Sequence, residues 1–194
     1  MAKLREGNMP VLLVVDVQVG VMKNAWDSAR VIAKVACMVE RARAENVPVI
    51  WIQHEDEELI SGSDEWRWVP ELVPASGEAQ FRKRFNSSFE QTVLDDELGR
   101  LRATHIVLAG AATNWCIRAT AYGALERGYD LTLVNDAHTT GSMTMEDGTI
   151  IEAANIIREL NTAITWLSYP DRSNGTAAAE EVDFSKPANA RNGR

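Results

Sequence analysis

Five apolar, largely β-branched runs punctuate the chain: VLLVVD ending at Asp16, VPVIWIQ at Gln53, HIVLAG at Gly110, DLTLVND at Asp136 and TAITWL at Leu167. None alternates apolar with polar residues. A strand with one wet face has to alternate, so continuous runs predict strands covered on both faces, as in a parallel α/β sheet. A shorter run, EAQFRK ending at Lys83, adds a sixth candidate strand.

Helical patterns fall between these runs. SARVIAKVACMVERARAEN puts Val31, Val35, Met38 and Val39 on one stripe, leaves Arg30, Lys34, Glu40 and Arg41 for solvent, and offers Ser28 as a cap. FEQTVLDDELGRLRA, WCIRATAYGALERG and MEDGTIIEAANIIREL supply three more, the second closed by Gly128. This alternation predicts a three-layer α/β/α fold with right-handed crossovers and a six-stranded, mainly parallel sheet. A single domain over 1–194 is expected, with 1–8 and about 171–194 as peripheral tails, the latter loosely ordered or lying on a neighbouring subunit. The long loop at 55–77, rich in acids, Trp and Pro, is expected to serve as a lid or binding loop.

Charge and cysteine content narrow the partners. A formal net charge of −8 provides no broad positive field for nucleic acid. No apolar run is long enough to span a membrane, and MAKLREGNMP lacks the apolar centre of a secretory signal, so a cytoplasmic location is expected. Cys37 and Cys116 are then both free thiols.

In open α/β sheets ligands bind beyond the carboxyl ends of the strands. Those ends here carry Asp16, His54, Lys83, the segment GAATNWC with Cys116, and Asp136 and His138. A carboxylate, an ammonium and a thiol have joint chemical meaning. Sulfur attacks a carbonyl as thiolate, and a helix N-terminus or a nearby cation lowers its pKa. Cys116 stands where a strand gives way to a helix beginning near Trp115, and Lys83 offers the cation. Asp16 can take the thiol proton and return it to a leaving amine. Gln18, His54, Trp66 and Trp115 are candidate substrate-binding residues, with Trp68 a further candidate wall; Thr113 and Asn114 are expected to hold the turn before the nucleophile, and Phe89 to pack beneath Lys83. Cys37, inside an amphipathic helix, reads as structural. No G-x-G-x-x-G follows VLLVVD, which sets a dinucleotide oxidoreductase aside.

From about Pro10 to Trp166 the chain resembles the isochorismatase-like cysteine hydrolases, a family that includes nicotinamidases and carbamoylsarcosine amidases. The resemblance rests on LLVVDVQ with Asp16, KRFNSSFEQTVLDDEL with Lys83, and IVLAGAATNWCIRATAYGALERGYDLTLVNDAHTT with Cys116. It implies a catalytic triad of Asp16, Lys83 and Cys116, a Rossmann-like strand order 3-2-1-4-5-6, and a cis bond from Ala111 to Ala112. It also implies an oxyanion hole formed by the Ala112 and Cys116 N–H groups, and a homodimer or higher homo-oligomer.

Two departures refine what the resemblance implies. The Asp-x-His metal motif of nicotinamidases is replaced by QHEDEEL, so neither metal nor organic cofactor is expected. True isochorismatases lack the nucleophilic cysteine that Cys116 supplies. The pieces SSFEQT, IRAT, RGYDLTLVNDAHTT and EVDF are most similar to streptothricin hydrolase-like members, which implies a small non-peptide amide substrate, cyclic amides included. The competing readings are a binding or scaffold protein that keeps the fold, or a hydrolase of another small metabolite of isochorismatase or nicotinamidase type.

Overall fold

The computed structural model describes residues 4–187. In chain order its elements are β1 (Met9–Val15), a short α1 (Val19–Met22), α2 (Ser28–Ala44), β2 (Val49–His54), β3 (Ala79–Lys83), α3 (Leu94–Arg100) and β4 (Ala103–Ala111). A π-helical turn (Thr113–Ile117) then leads into α4 (Arg118–Glu126). β5 (Asp130–Thr139), a small hairpin of β6 (Met143–Thr144) and β7 (Ile150–Ile151), α5 (Ala153–Trp166) and β8 (Asn174–Ala177) complete the order. The main sheet runs β3-β2-β1-β4-β5-β8, and every neighbouring pair is parallel. The expected six-stranded, three-layer order is therefore the one adopted.

The sixth strand comes from a different segment. TAITWL is the last part of α5, not a strand. Its β-branched residues are overridden by a helical stripe of Ala153, Ile156, Ile157, Leu160 and Ile164, all buried. Thr162 and Thr165 bond back to the carbonyls of Arg158 and Asn161, four residues earlier. The sheet edge is instead NGTA, which little in its composition announces. It is held by pairing with β5 from Leu131 to Val134, and by buried Asn174, whose amide donates to the Ile164 and Leu167 carbonyls at 2.7 and 2.9 Å. Residues beyond it are tied down too: Ala179, Val182 and Phe184 join the core under α2, and Arg41 donates to the Val182 carbonyl. The expectation of loose ordering from 171 onward is thus corrected as far as 187; 188–194 lie outside the described residues.

Alternation along the strands sorts side chains between two cores. Leu12, Val14, Trp51 and Val107 face α2, whereas Val11, Leu13, Val15, Ile50, Ile52 and Leu108 face α3 and α4. Lys83 has the parity of Ala79 and Phe81, and His54 that of Ile50 and Ile52, so both point to the α4 face. The sheet order reverses between β1 and β4, the position where such sheets place ligands. There the two backbones touch. A Cβ on Gly110 would lie 1.9 Å from the Val15 carbonyl oxygen, and Gly110 has φ +128°, so only glycine fits. No helix among the described residues is long and apolar enough to cross a membrane.

Candidate active site

β1 ends at the switch point, and Asp16 leaves it with φ 52°, a left-handed conformation uncommon outside glycine. β3 delivers Lys83 beside it, and the turn after β4 delivers Cys116. The three are brought together: Lys83 Nζ donates to Asp16 Oδ2 at 2.6 Å and to Cys116 Sγ at 3.1 Å. All are buried, with Cys116 only 8% exposed. Asn86 adds a contact that the sequence did not signal, its Oδ1 lying 3.9 Å from the sulfur on the exposed side.

The helical start differs from expectation. It is a π turn beginning at Thr113, with the Trp115 and Ile117 N–H groups both donating to the Ala112 carbonyl, so Cys116 is its fourth residue. The peptide bond joining Ala111 to Ala112 is cis. β5 and the residue after it grip this turn at two points: Thr113 Oγ1 meets His138 Nδ1 at 2.8 Å, and Thr140 Oγ1 donates to Asn114 Oδ1 at 2.6 Å. Asn161 fixes the His138 tautomer. Its amide nitrogen donates to the Asn135 carbonyl, so its oxygen accepts from His138 Nε2–H, and Nδ1 accepts from the Thr113 hydroxyl.

The electrostatics run against the expected lowering of the thiol pKa. Burial, followed by the neighbouring Asp16 carboxylate, pushes the Cys116 thiol up to about 12 despite the pull of Lys83. Burial also raises the Asp16 carboxyl above its usual range against the attraction of Lys83. Burial alone would lower Lys83, but the facing Asp16 carboxylate offsets this and Lys83 is held above its ordinary value, so it stays an ammonium. Asp16 Oδ1 is buried without a hydrogen-bond partner. The resting cluster is a neutral thiol beside an ion pair whose carboxylate keeps one oxygen free.

Asp16, His54 and Cys116 bring ligand-type atoms within 4.8 Å of one another. The point they share is occupied by Lys83 Nζ, which also lies 3.2 Å from His54 Nδ1, so the cation of this cluster is an ammonium.

The expected substrate-binding residues fare differently. Gln18 is fully buried and its amide is spent on backbone: Oε1 accepts from His54 N–H, and Nε2 donates to the His54 and Trp66 carbonyls. It fastens the end of β2 and the long loop to the turn between β1 and α1. The Trp66 carbonyl also accepts from Gln53, and Val69 and Leu72 sink into the α2 core, so the 55–77 loop is anchored rather than free. The Trp66 ring carries Arg82 at 5.0 Å, and Trp68 packs edge-on against Trp51. Trp115, next to Cys116 in the chain, is 52% exposed. Phe89 stacks on Tyr129 in the α4-side core. A groove of about 670 Å³ between Trp26, Arg30, Arg158 and Trp166 contains none of the three clustered residues.

Fold and site together define a doubly wound α/β protein with a buried carboxylate, ammonium and thiol at the switch point of its sheet. The chain matches the isochorismatase domain over residues 10–165 and belongs to the isochorismatase family. It is 32% identical over 136 residues to a streptothricin hydrolase of Streptomyces noursei, covering 66% of this chain and 54% of that protein. To the ureidoacrylate amidohydrolase RutB of Methylobacterium radiotolerans it is 26% identical over 171 residues, covering 71% and 64%. The chain thus spans 54% and 64% of the length of these two curated relatives. Among solved structures, an isochorismatase from Pseudomonas putida KT2440 superposes with a TM-score of 0.81 at 23% identity, covering 94% of this chain and 92% of that one.

Proposed function

We propose that this chain is a cysteine hydrolase of a small non-peptide amide, acting through a thioester. The observation that carries the reading is the double contact of Lys83 Nζ with Asp16 Oδ2 and Cys116 Sγ, beside a carboxylate oxygen that has no other partner. The names of the two curated relatives, a hydrolase and an amidohydrolase, support the same chemistry.

Because the thiol is neutral at rest, sulfur attack and proton loss belong to one step. Cys116 Sγ bonds to the carbonyl carbon while its proton passes to Asp16 Oδ1. The carbonyl electrons move to oxygen, where the Ala112 and Cys116 N–H groups receive them. When the oxyanion collapses, the C–N bond breaks and Asp16 returns the proton to the departing nitrogen. Water then adds to the thioester with Asp16 as base, and the C–S bond breaks with a proton returning to sulfur. Lys83 keeps Asp16 ionised and offsets charge growing on sulfur. Trp115, exposed beside the nucleophile, is the substrate-facing wall.

The reading is tested by incubating the protein with streptothricin, ureidoacrylate and a panel of small amides and lactams, with intact-mass detection of an acyl adduct. An adduct on Cys116 and turnover lost in Cys116→Ala are expected; turnover that survives the substitution rejects the mechanism. Since Asp16 must be ionised to accept the proton, the acid limb of kcat/KM should lie above 3.8, the ordinary Asp value.

A further inference from the structure

An ammonium has three protons, and Lys83 faces three acceptors: Asp16 Oδ2 at 2.6 Å, Cys116 Sγ at 3.1 Å and His54 Nδ1 at 3.2 Å. The third contact is set by the sheet. His54 and Lys83 are register partners on adjacent parallel strands, with side chains on the same face. The His54 backbone is pinned on both sides by the Gln18 amide, so the ring has little freedom to leave.

Both ring nitrogens demand one tautomer. An ammonium only donates, so Nδ1 has to present its lone pair to Lys83. A carboxylate only accepts, and His54 Nε2 lies 3.2 Å from Asp56 Oδ2, so Nε2 carries the proton. Asp56 is itself fixed, accepting the Glu58 and Leu59 N–H groups on Oδ1. The result is a chain from Asp56 through His54 to Lys83, and from there to the carboxylate and the sulfur.

We infer that His54 is a positioning residue for the reaction: it takes the third proton of Lys83 and so locks the ammonium toward Asp16 and Cys116, rather than binding substrate. The inference rests on the reading of Lys83 as the cation of the reacting cluster. It replaces the substrate-binding role expected from sequence, because both ring nitrogens are spent within the protein. It also leaves Lys83 no proton for a substrate carbonyl, which assigns the oxyanion to backbone N–H groups.

Two measurements test it without needing a substrate. The first uses the wild-type protein, whose three histidines make assignment direct. Long-range ¹H–¹⁵N spectra at pH 8 should show His54 protonated on Nε2, with an Nδ1 resonance that moves in Lys83→Met. An Nδ1-protonated His54 overturns the proposal.

The second compares His54→Asn with His54→Leu in a Cys37→Ser background. The two side chains are nearly the same size, but only Asn offers an acceptor. Leu leaves a buried ammonium proton unpaired and weakens the counter-charge that the sulfur needs. Iodoacetamide should therefore alkylate Cys116 about tenfold more slowly in the Leu variant than in the Asn variant, as expected for loss of one hydrogen bond to a charged group. Equal rates overturn the inference. A silent amide panel alongside the expected spectra and rates would count against the amidase reading alone.

Discussion

The two faces of the sheet are built by the same strands and differ in what their ends carry. Under α2, the ends of β1 and β2 are closed by apolar residues of the long loop, Val69 and Leu72, and by Trp51 against Trp68. Under α4, the corresponding ends carry Asp16, His54 and Lys83, with Cys116 above them. Residues separated by one position along a strand can therefore meet opposite fates, one in apolar packing and the other in the polar cluster. Strand parity decides this for β2 and β3, where Gln53 and His54 are neighbours and only His54 reaches the ammonium; Asp16, which follows β1 with the parity of Leu12 and Val14, reaches the cluster by leaving the strand in a left-handed conformation.

The sharpest challenge to this contrast is a pair of cysteine variants. Cys116→Ala should lower turnover of whichever panel amide is cleaved by on the order of 10³-fold or more. Cys37→Ala, on α2, should leave turnover unchanged, and comparable losses in both would dissolve the distinction between the faces.

A second challenge concerns stability. Lys83→Met removes the only ammonium from the buried cluster and strands Asp16, so urea denaturation should report a loss of about 3–5 kcal/mol. Adding Asp16→Asn should restore much of that stability while activity stays absent. A single Lys83 variant as stable as wild type would mean that the ion pair is not buried as described.

The smallest expected effect tests what the faces share. His105, bonded to Thr132 among the sheet side chains, and His138, beneath the π turn, are each lowered to about 4 by burial. An unfolded histidine binds its proton near 6.5, so between 6.5 and 4 the unfolded state holds more protons and stability must fall as pH falls. Each shift corresponds to at most about 3 kcal/mol. His105→Gln and His138→Gln should each flatten the decline in denaturation midpoint across this window, and each comparison with wild type isolates one histidine from the opposite slope of Asp16. A decline unchanged in both variants would place its origin elsewhere.

Much of this arrangement was legible from the chain. Continuous apolar runs gave the parallel sheet, and the residues at their ends included all three members of the cluster. The failures have physical causes. TAITWL has strand-like residues, but a helical stripe beginning at Ala153 continues through it, and tertiary packing prevails over local propensity. NGTA is a strand because an open sheet edge and the Asn174 amide hold it there, information that lies outside the segment. The raised thiol was hidden because burial depends on three dimensions, whereas the nearby cation was visible in sequence. Asn86, the His138 brace and the saturated amide of Gln18 were invisible for the same reason: each is defined by partners far away in the chain.

The backbone contact at Gly110 has an engineering consequence. Because β1 and β4 meet there atom against atom, with no side chain interposed, the spacing between Asp16 and the turn bearing Cys116 is set by a hard stop. A single added carbon at this glycine would force the two strands apart and carry Asp16 and Cys116 out of register with each other.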